Sequence, residues 1–227
     1  MTQDMLLAAL ERKIVRYCSP TLRNIKPANL FTFGCECERA CSRSTCAPFS
    51  QPSDQAILRA LRNCVRRLRQ KGILVRILAR CANGPVIYLY RPDALEATLR
   101  RPEVAALLAN EGYRTDSLDA CLDHLSERFQ AGLPSNGGPC EFPHEIGLFL
   151  GYPFEDVVGF IENRGRDFLC RGCWKAYHDA LGAQRTWAYY ETCTCICEGL
   201  ISRGMAFEDI VLPSAFVECK EDLAPAI

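Results

Sequence analysis

From Asp4 to Tyr17 the chain sets Leu6, Leu7, Leu10, Ile14 and Tyr17 at helical spacing, the stripe of an amphipathic helix. Ser19-Pro20 is a boundary signal, so that helix is expected to stop near Cys18 and a turn or short helix to restart at Pro20. ANLFTFG alternates like a short strand ending at Gly34, and CECERACSRSTCAPFSQPS then reads as a polar loop. Ile57, Leu61, Cys64, Val65 and Leu68 form the apolar stripe of a second helix, capped at Ser53 or Asp54 and ended by Gly72. ILVRILAR and VIYLYRP follow, rich in β-branched and aromatic residues and separated by Asn83-Gly84. That pairing is a strong hairpin signal. Pro92 and Pro102 each suit a first helical turn, and Leu118, Cys121, Leu122, Leu125 and Phe129 mark a helix from Ser117 to about Gln130.

The polar and glycine-rich GLPSNGGPCEFP is the best linker or long loop in the chain. Beyond it the pattern is helical: HEIGLFLG, then FEDVVGFIENRG across a turn at Gly151-Tyr152-Pro153, then a long run through RTWAYYETC to Ser202. Strands early and helices late predict an α+β fold, with a small antiparallel sheet and hairpin in the N-terminal half and a helical C-terminal half. The division expected is an α+β part over 1–132, a linker at 133–143 and a mainly helical, cysteine-containing part over 144–227, unless the whole forms one continuous domain. No internal repeat or low-complexity tract interrupts it.

Composition narrows the function classes. With 227 residues, 48% hydrophobic and 24% charged, the chain is long enough to bury a core without staples. Lys plus Arg balances Asp plus Glu at 27 each, which removes any global footprint for nucleic acid or anionic lipid. The opening residues lack the basic region, long apolar run and cleavage site of a signal peptide. No stretch reaches the roughly 18 apolar residues of a membrane span, so a cytoplasmic protein with no membrane partner is expected.

Fifteen cysteines change the picture. In a chain of this length and expected compartment they point to metal binding or thiol chemistry rather than a disulfide framework, and an odd count forbids complete pairing. Cys170-x2-Cys173 can grip one metal ion from a tight turn, the knuckle used by zinc and iron–sulfur sites. Nineteen residues intervene before Cys193, which is followed by Cys195 and Cys197. On a helix Cys193 and Cys197 share a face while Cys195 points away. Cys170, Cys173 and Cys193 are therefore the expected ligands of a metal ion or iron–sulfur cluster, with Cys18 or Cys197 as the fourth. The alternative is a pair of free or redox-active thiols packed beside Trp174. Cys35, Cys37, Cys41 and Cys46 form a second thiol cluster in polar surroundings, with irregular spacing.

Two further arrangements carry chemistry. His144-Glu145 opens a helix, and an imidazole beside a carboxylate could serve Cys18 in a cysteine–histidine thiol enzyme; the plain reading is that both residues cap that helix. Arg59, Arg62, Arg66 and Arg69 recur at helical spacing, a stripe able to contact phosphate on nucleic acid or a nucleotide-like ligand. Such a stripe is more often a solvated face, neutralised by acidic segments such as EFPHE or ECKED. No dinucleotide or P-loop pattern follows a strand.

YCSPTLRNIKPANLF, VIYLYRPDAL, FPHEIGLFLGYPFEDVVGFIENRG and FLCRGCWKAYHDALGAQRTWAYYETC resemble, in that order, the bacterial domain-of-unknown-function family numbered 3793, over about Ile14 to Cys197. The resemblance implies no reaction, substrate or cofactor, and it implies an origin among mainly anaerobic bacteria. Its motif cysteines match Cys18, Cys170, Cys173 and Cys193, whereas the CECERACSRSTC insert, Cys195, Cys197 and His178 depart from it. The expected role is metal or redox handling, with electron-transfer or metal-trafficking proteins as partners.

Overall fold

The computed structural model describes residues 2–33, 54–81, 84–132 and 143–214. Three strands form an antiparallel sheet in the order β1-β3-β2: β1 (Ala28–Thr32), β2 (Leu74–Cys81) and β3 (Gly84–Tyr90). β2 and β3 make the expected hairpin, with a bulge between Ile77 and Ala79. As the central strand, β3 buries nearly every residue and alternates between two cores. Ile87 and Leu89 enter one core, while Val86, Tyr88 and Tyr90 enter the other.

The first core lies under α1 (Gln3–Leu22) and α2 (Asp54–Gln70). It also takes in Cys193 and Cys197 of α8 (Ala180–Ser202) and Phe207 of α9 (Phe207–Ile210). The second core is covered by α3 (Pro92–Leu99), α4 (Pro102–Asn110), α5 (Leu118–Ala131), α6 (Ile146–Phe149) and α7 (Phe154–Glu162). It joins residues from both sides of the expected linker, which lies outside the described residues apart from Pro143. The fold is thus α+β, with the sheet in the N-terminal half. Among the described residues no helix is long and apolar enough to cross a membrane.

α1 differs from expectation. It runs straight through Pro20 and ends at Leu22. A proline two residues from the end of a helix removes one donor, and here the turn is held in other ways. The Ser19 hydroxyl donates to the Val15 carbonyl at 2.5 Å, and the Pro20 carbonyl accepts from the N–H groups of Ile25 and Lys26. Arg91, fully buried, secures the same end. Its guanidinium donates to the carbonyls of Thr21 (2.7 Å), Leu22 (2.8 Å) and Leu212 (2.8 Å), tying α1, β3 and the segment after α9 together.

Candidate functional site

The sharp turn after α1 sets up the most unusual group in the molecule. Asn24 adopts a left-handed backbone (φ 60°), and the chain doubles back into β1. Lys26 is left pointing inward, only 5% exposed. The α6–α7 turn closes over it. Gly151 sits at φ 71°, so close to Pro27 that a Cβ there would lie 2.5 Å from the proline Cγ. That approach lays the Tyr152 ring 4.8 Å from Lys26 Nζ, and α8 supplies the Tyr190 ring at 5.7 Å. Among the described residues no carboxylate pairs with this ammonium. Burial holds its pKa down at about 8, partly countered by the thiols of Cys173 and Cys18 nearby.

Cys173 belongs to a small hairpin, β4 (Cys170–Arg171) with β5 (Lys175–Ala176). Asp156 of α7 fastens that hairpin. One carboxylate oxygen accepts from Trp174 Nε1 (2.7 Å), and the other accepts from the backbone N–H groups of Tyr177 (2.7 Å) and His178 (3.0 Å). Trp174 stacks on Tyr152 at 5.0 Å, and the Tyr152 hydroxyl donates to the Cys173 carbonyl at 3.3 Å. Cys173 is exposed. Burial of part of the side chain raises its thiol pKa, and the Lys26 charge offsets only part of that rise. Near pH 7 the pair is therefore a neutral thiol beside an ammonium. Tyr152 and Cys173 also wall a cavity of about 320 Å³, whose lining includes His144, Asp156, Phe160, Arg171 and Trp174. Next to it the indole Nε1 of Trp187 is buried with no hydrogen-bond partner.

The expected ligand thiols are divided among these surroundings. Cys18 is fully buried in the first core, as are Cys193 and Cys197. The last two share the inner face of α8 as expected, with Cys195 exposed. The Cys170 thiol donates to the Ala180 carbonyl at 3.7 Å, while Cys173 faces Lys26. Among the described residues no group of three or more Cys, His, Asp or Glu side chains could hold a metal ion. Two of the four expected ligands, Cys18 and Cys173, lie beside the Lys26 ammonium. The second thiol cluster, Cys35, Cys37, Cys41 and Cys46, lies outside the described residues.

The cysteine–histidine pairing is also rearranged. Burial pushes the Cys18 thiol far up, so no thiolate forms there near neutral pH. Glu145 is buried, accepting from Tyr113 Oη (2.7 Å) and Arg128 Nε (2.7 Å). His144 instead lines the cavity that Cys173 walls, with its ring 5.1 Å from that of Phe160. Arg59, Arg62, Arg66 and Arg69 are exposed along α2, away from this site. Sequence reasoning passed over Lys26, Tyr152 and Asp156. A lone lysine inside the apolar run Ile25-Lys26-Pro27-Ala28 was the available signal.

No curated protein and no solved structure matches the chain. A family model described as protein of unknown function (DUF3793) matches residues 14–211, and the chain belongs to that family.

Proposed function

We propose that the protein binds a small anionic molecule at the Cys173 face of the cavity, with Lys26 as its counter-charge and Cys173 as the thiol that meets it. One observation carries this reading: a lysine 5% exposed, with no carboxylate partner among the described residues, held beside a solvent-reachable thiol. A buried cation without an anion is costly, and a bound anion would remove that cost. Supporting features are Arg171 at the cavity wall and the stacked Tyr152 and Trp174 rings, which offer a flat apolar surface to the body of a ligand. The thiol reading thus moves from Cys18 with His144 to Cys173 with Lys26, His144 lying across the same cavity.

The test is competitive alkylation of the folded protein at pH 7 by iodoacetate, an anion, and iodoacetamide, its neutral analogue, with labelled sites mapped by mass spectrometry. Exposed Cys195 serves as the internal reference. The expected result is an iodoacetate-to-iodoacetamide rate ratio at Cys173 several-fold above that at Cys195, falling to the Cys195 value in Lys26→Met. Equal ratios at the two cysteines in the unaltered protein would overturn the proposal.

A further inference from the structure

A second surface, away from that site, lies over the first core. α2 and β2 enclose a groove of about 590 Å³. Leu58 and Val65 of α2 and Val75 and Ile77 of β2 form its partly exposed apolar floor. The reason is topological. β2 is the outer strand of the sheet, and Val75 and Ile77 pair in register with Leu89 and Ile87 on the same face. The helix layer buries the β3 residues fully but leaves their β2 neighbours half covered.

The rim of the groove is cationic. Arg62, Arg66 and Arg69 line it, all exposed, four and then three residues apart. At about 1.5 Å of rise per residue they make a row about 10 Å long. Among the described residues none of the three meets a carboxylate. Arg67, on the same helix but facing inward, is paired with both Glu11 and Glu208. The helix therefore keeps its structural arginine neutralised and leaves the outward row open.

We infer that this groove docks an acidic amphipathic helix from a partner protein. The apolar floor calls for side-chain anchors at helical spacing, and the arginine row calls for carboxylates at the same spacing along one flank. A nucleic-acid backbone would satisfy the arginines, yet it would lie over Val65, Val75 and Ile77 with nothing apolar to cover them. The helix occupies the place that a further element of the α1–α2 layer would fill.

Fluorescence anisotropy tests this with the full chain and three labelled probes. The first is a synthetic helix of about 16 residues, with leucines spaced i, i+4, i+7 and glutamates flanking them. The second is the same peptide with glutamine for glutamate, and the third is a short DNA duplex. The expected result is micromolar binding of the acidic helix, at least about 10-fold weaker binding of the glutamine peptide, and a similar loss in Arg62→Glu/Arg66→Glu. Ile77→Asp is expected to lose binding too. The arginine variant should keep the unaltered melting temperature, because both side chains are exposed and meet no carboxylate among the described residues. No binding of the acidic helix at about 1 mM, equal binding of the two peptides, indifference to the arginine substitutions, or tighter binding of the duplex would each overturn the inference.

Discussion

Replacing Lys26 by methionine is expected to stabilise the protein, an unusual direction for a buried residue. Methionine keeps an unbranched apolar stem of similar length against Tyr152 and Tyr190 and removes only the charge. The size of the effect follows from the lysine's titration. Its pKa falls from 10.5 to about 8 on folding, and each pH unit is worth about 1.4 kcal/mol. The buried ammonium therefore costs about 3 kcal/mol at pH 7. The sign is fixed by which state holds the proton. Below pH 8 both folded and unfolded chains carry it, and the whole cost stands. Between about 8 and 10.5 the unfolded chain still binds it while the folded chain has released it, so the unaltered protein gains stability as pH rises. The advantage of Lys26→Met should accordingly be about 3 kcal/mol at pH 6 to 7 and shrink to about 2 kcal/mol by pH 9. Urea unfolding followed by far-ultraviolet circular dichroism, under reducing conditions across that range, measures both numbers. A destabilised variant, or a difference that does not change with pH, would refute the reasoning. A stabilising loss of charge would mark the residue as one kept at a cost in stability for what it binds.

Two other substitutions probe the frame around the site. Asp156→Asn replaces one of two acceptor oxygens by a donor where Trp174 Nε1 and two backbone N–H groups already donate. It should cost about 2–4 kcal/mol, and loosening of the β4–β5 hairpin should appear as a red shift of tryptophan emission and faster alkylation of Cys173. Arg91→Lys keeps the charge but not the planar fork that reaches the carbonyls of Thr21, Leu22 and Leu212. At least one buried carbonyl loses its donor, and the urea midpoint should fall by the equivalent of about 2–3 kcal/mol.

Local signals made most of the fold legible. The β-branched and aromatic run in VIYLYRP and the Asn83-Gly84 signal in the sequence point to the β2–β3 hairpin. Pro92 and Pro102 sit at the first turns of α3 and α4 as their fixed φ predicts. Cys193 and Cys197 share a helix face because their spacing demands it. Pro20 misled because its boundary signal is statistical, whereas the buried Ser19 hydroxyl and the clamp of Arg91 decide where α1 ends. The candidate site was hidden for a different reason. Nothing near Lys26 in the sequence announces Tyr152, Cys173 or Tyr190. They arrive through one tertiary contact, Gly151 on Pro27, and one buried carboxylate, Asp156, that reads as an ordinary first-turn acid of a helix. A Cys-x2-Cys spacing shows that two thiols can meet a common ion, but says nothing of the ammonium that one of them lies beside.

Bulk charge balance concealed how the charges are deployed. The chain is neutral overall, with 27 residues of each sign, and this argued against an electrostatic partner. Yet several acidic side chains are taken up in holding the fold together. Glu11 and Glu208 go to Arg67, and Glu111 and Glu145 to Arg128. Asp156 is saturated by N–H donors. Among the described residues, Lys26, Arg62, Arg66 and Arg69 have no such partner. One is buried against two tyrosine rings beside a thiol, and three stand in a row above an open apolar groove. Neutrality with internally consumed acids produces local positive sites as surely as a basic composition does, and the two proposed sites would each receive negative charge.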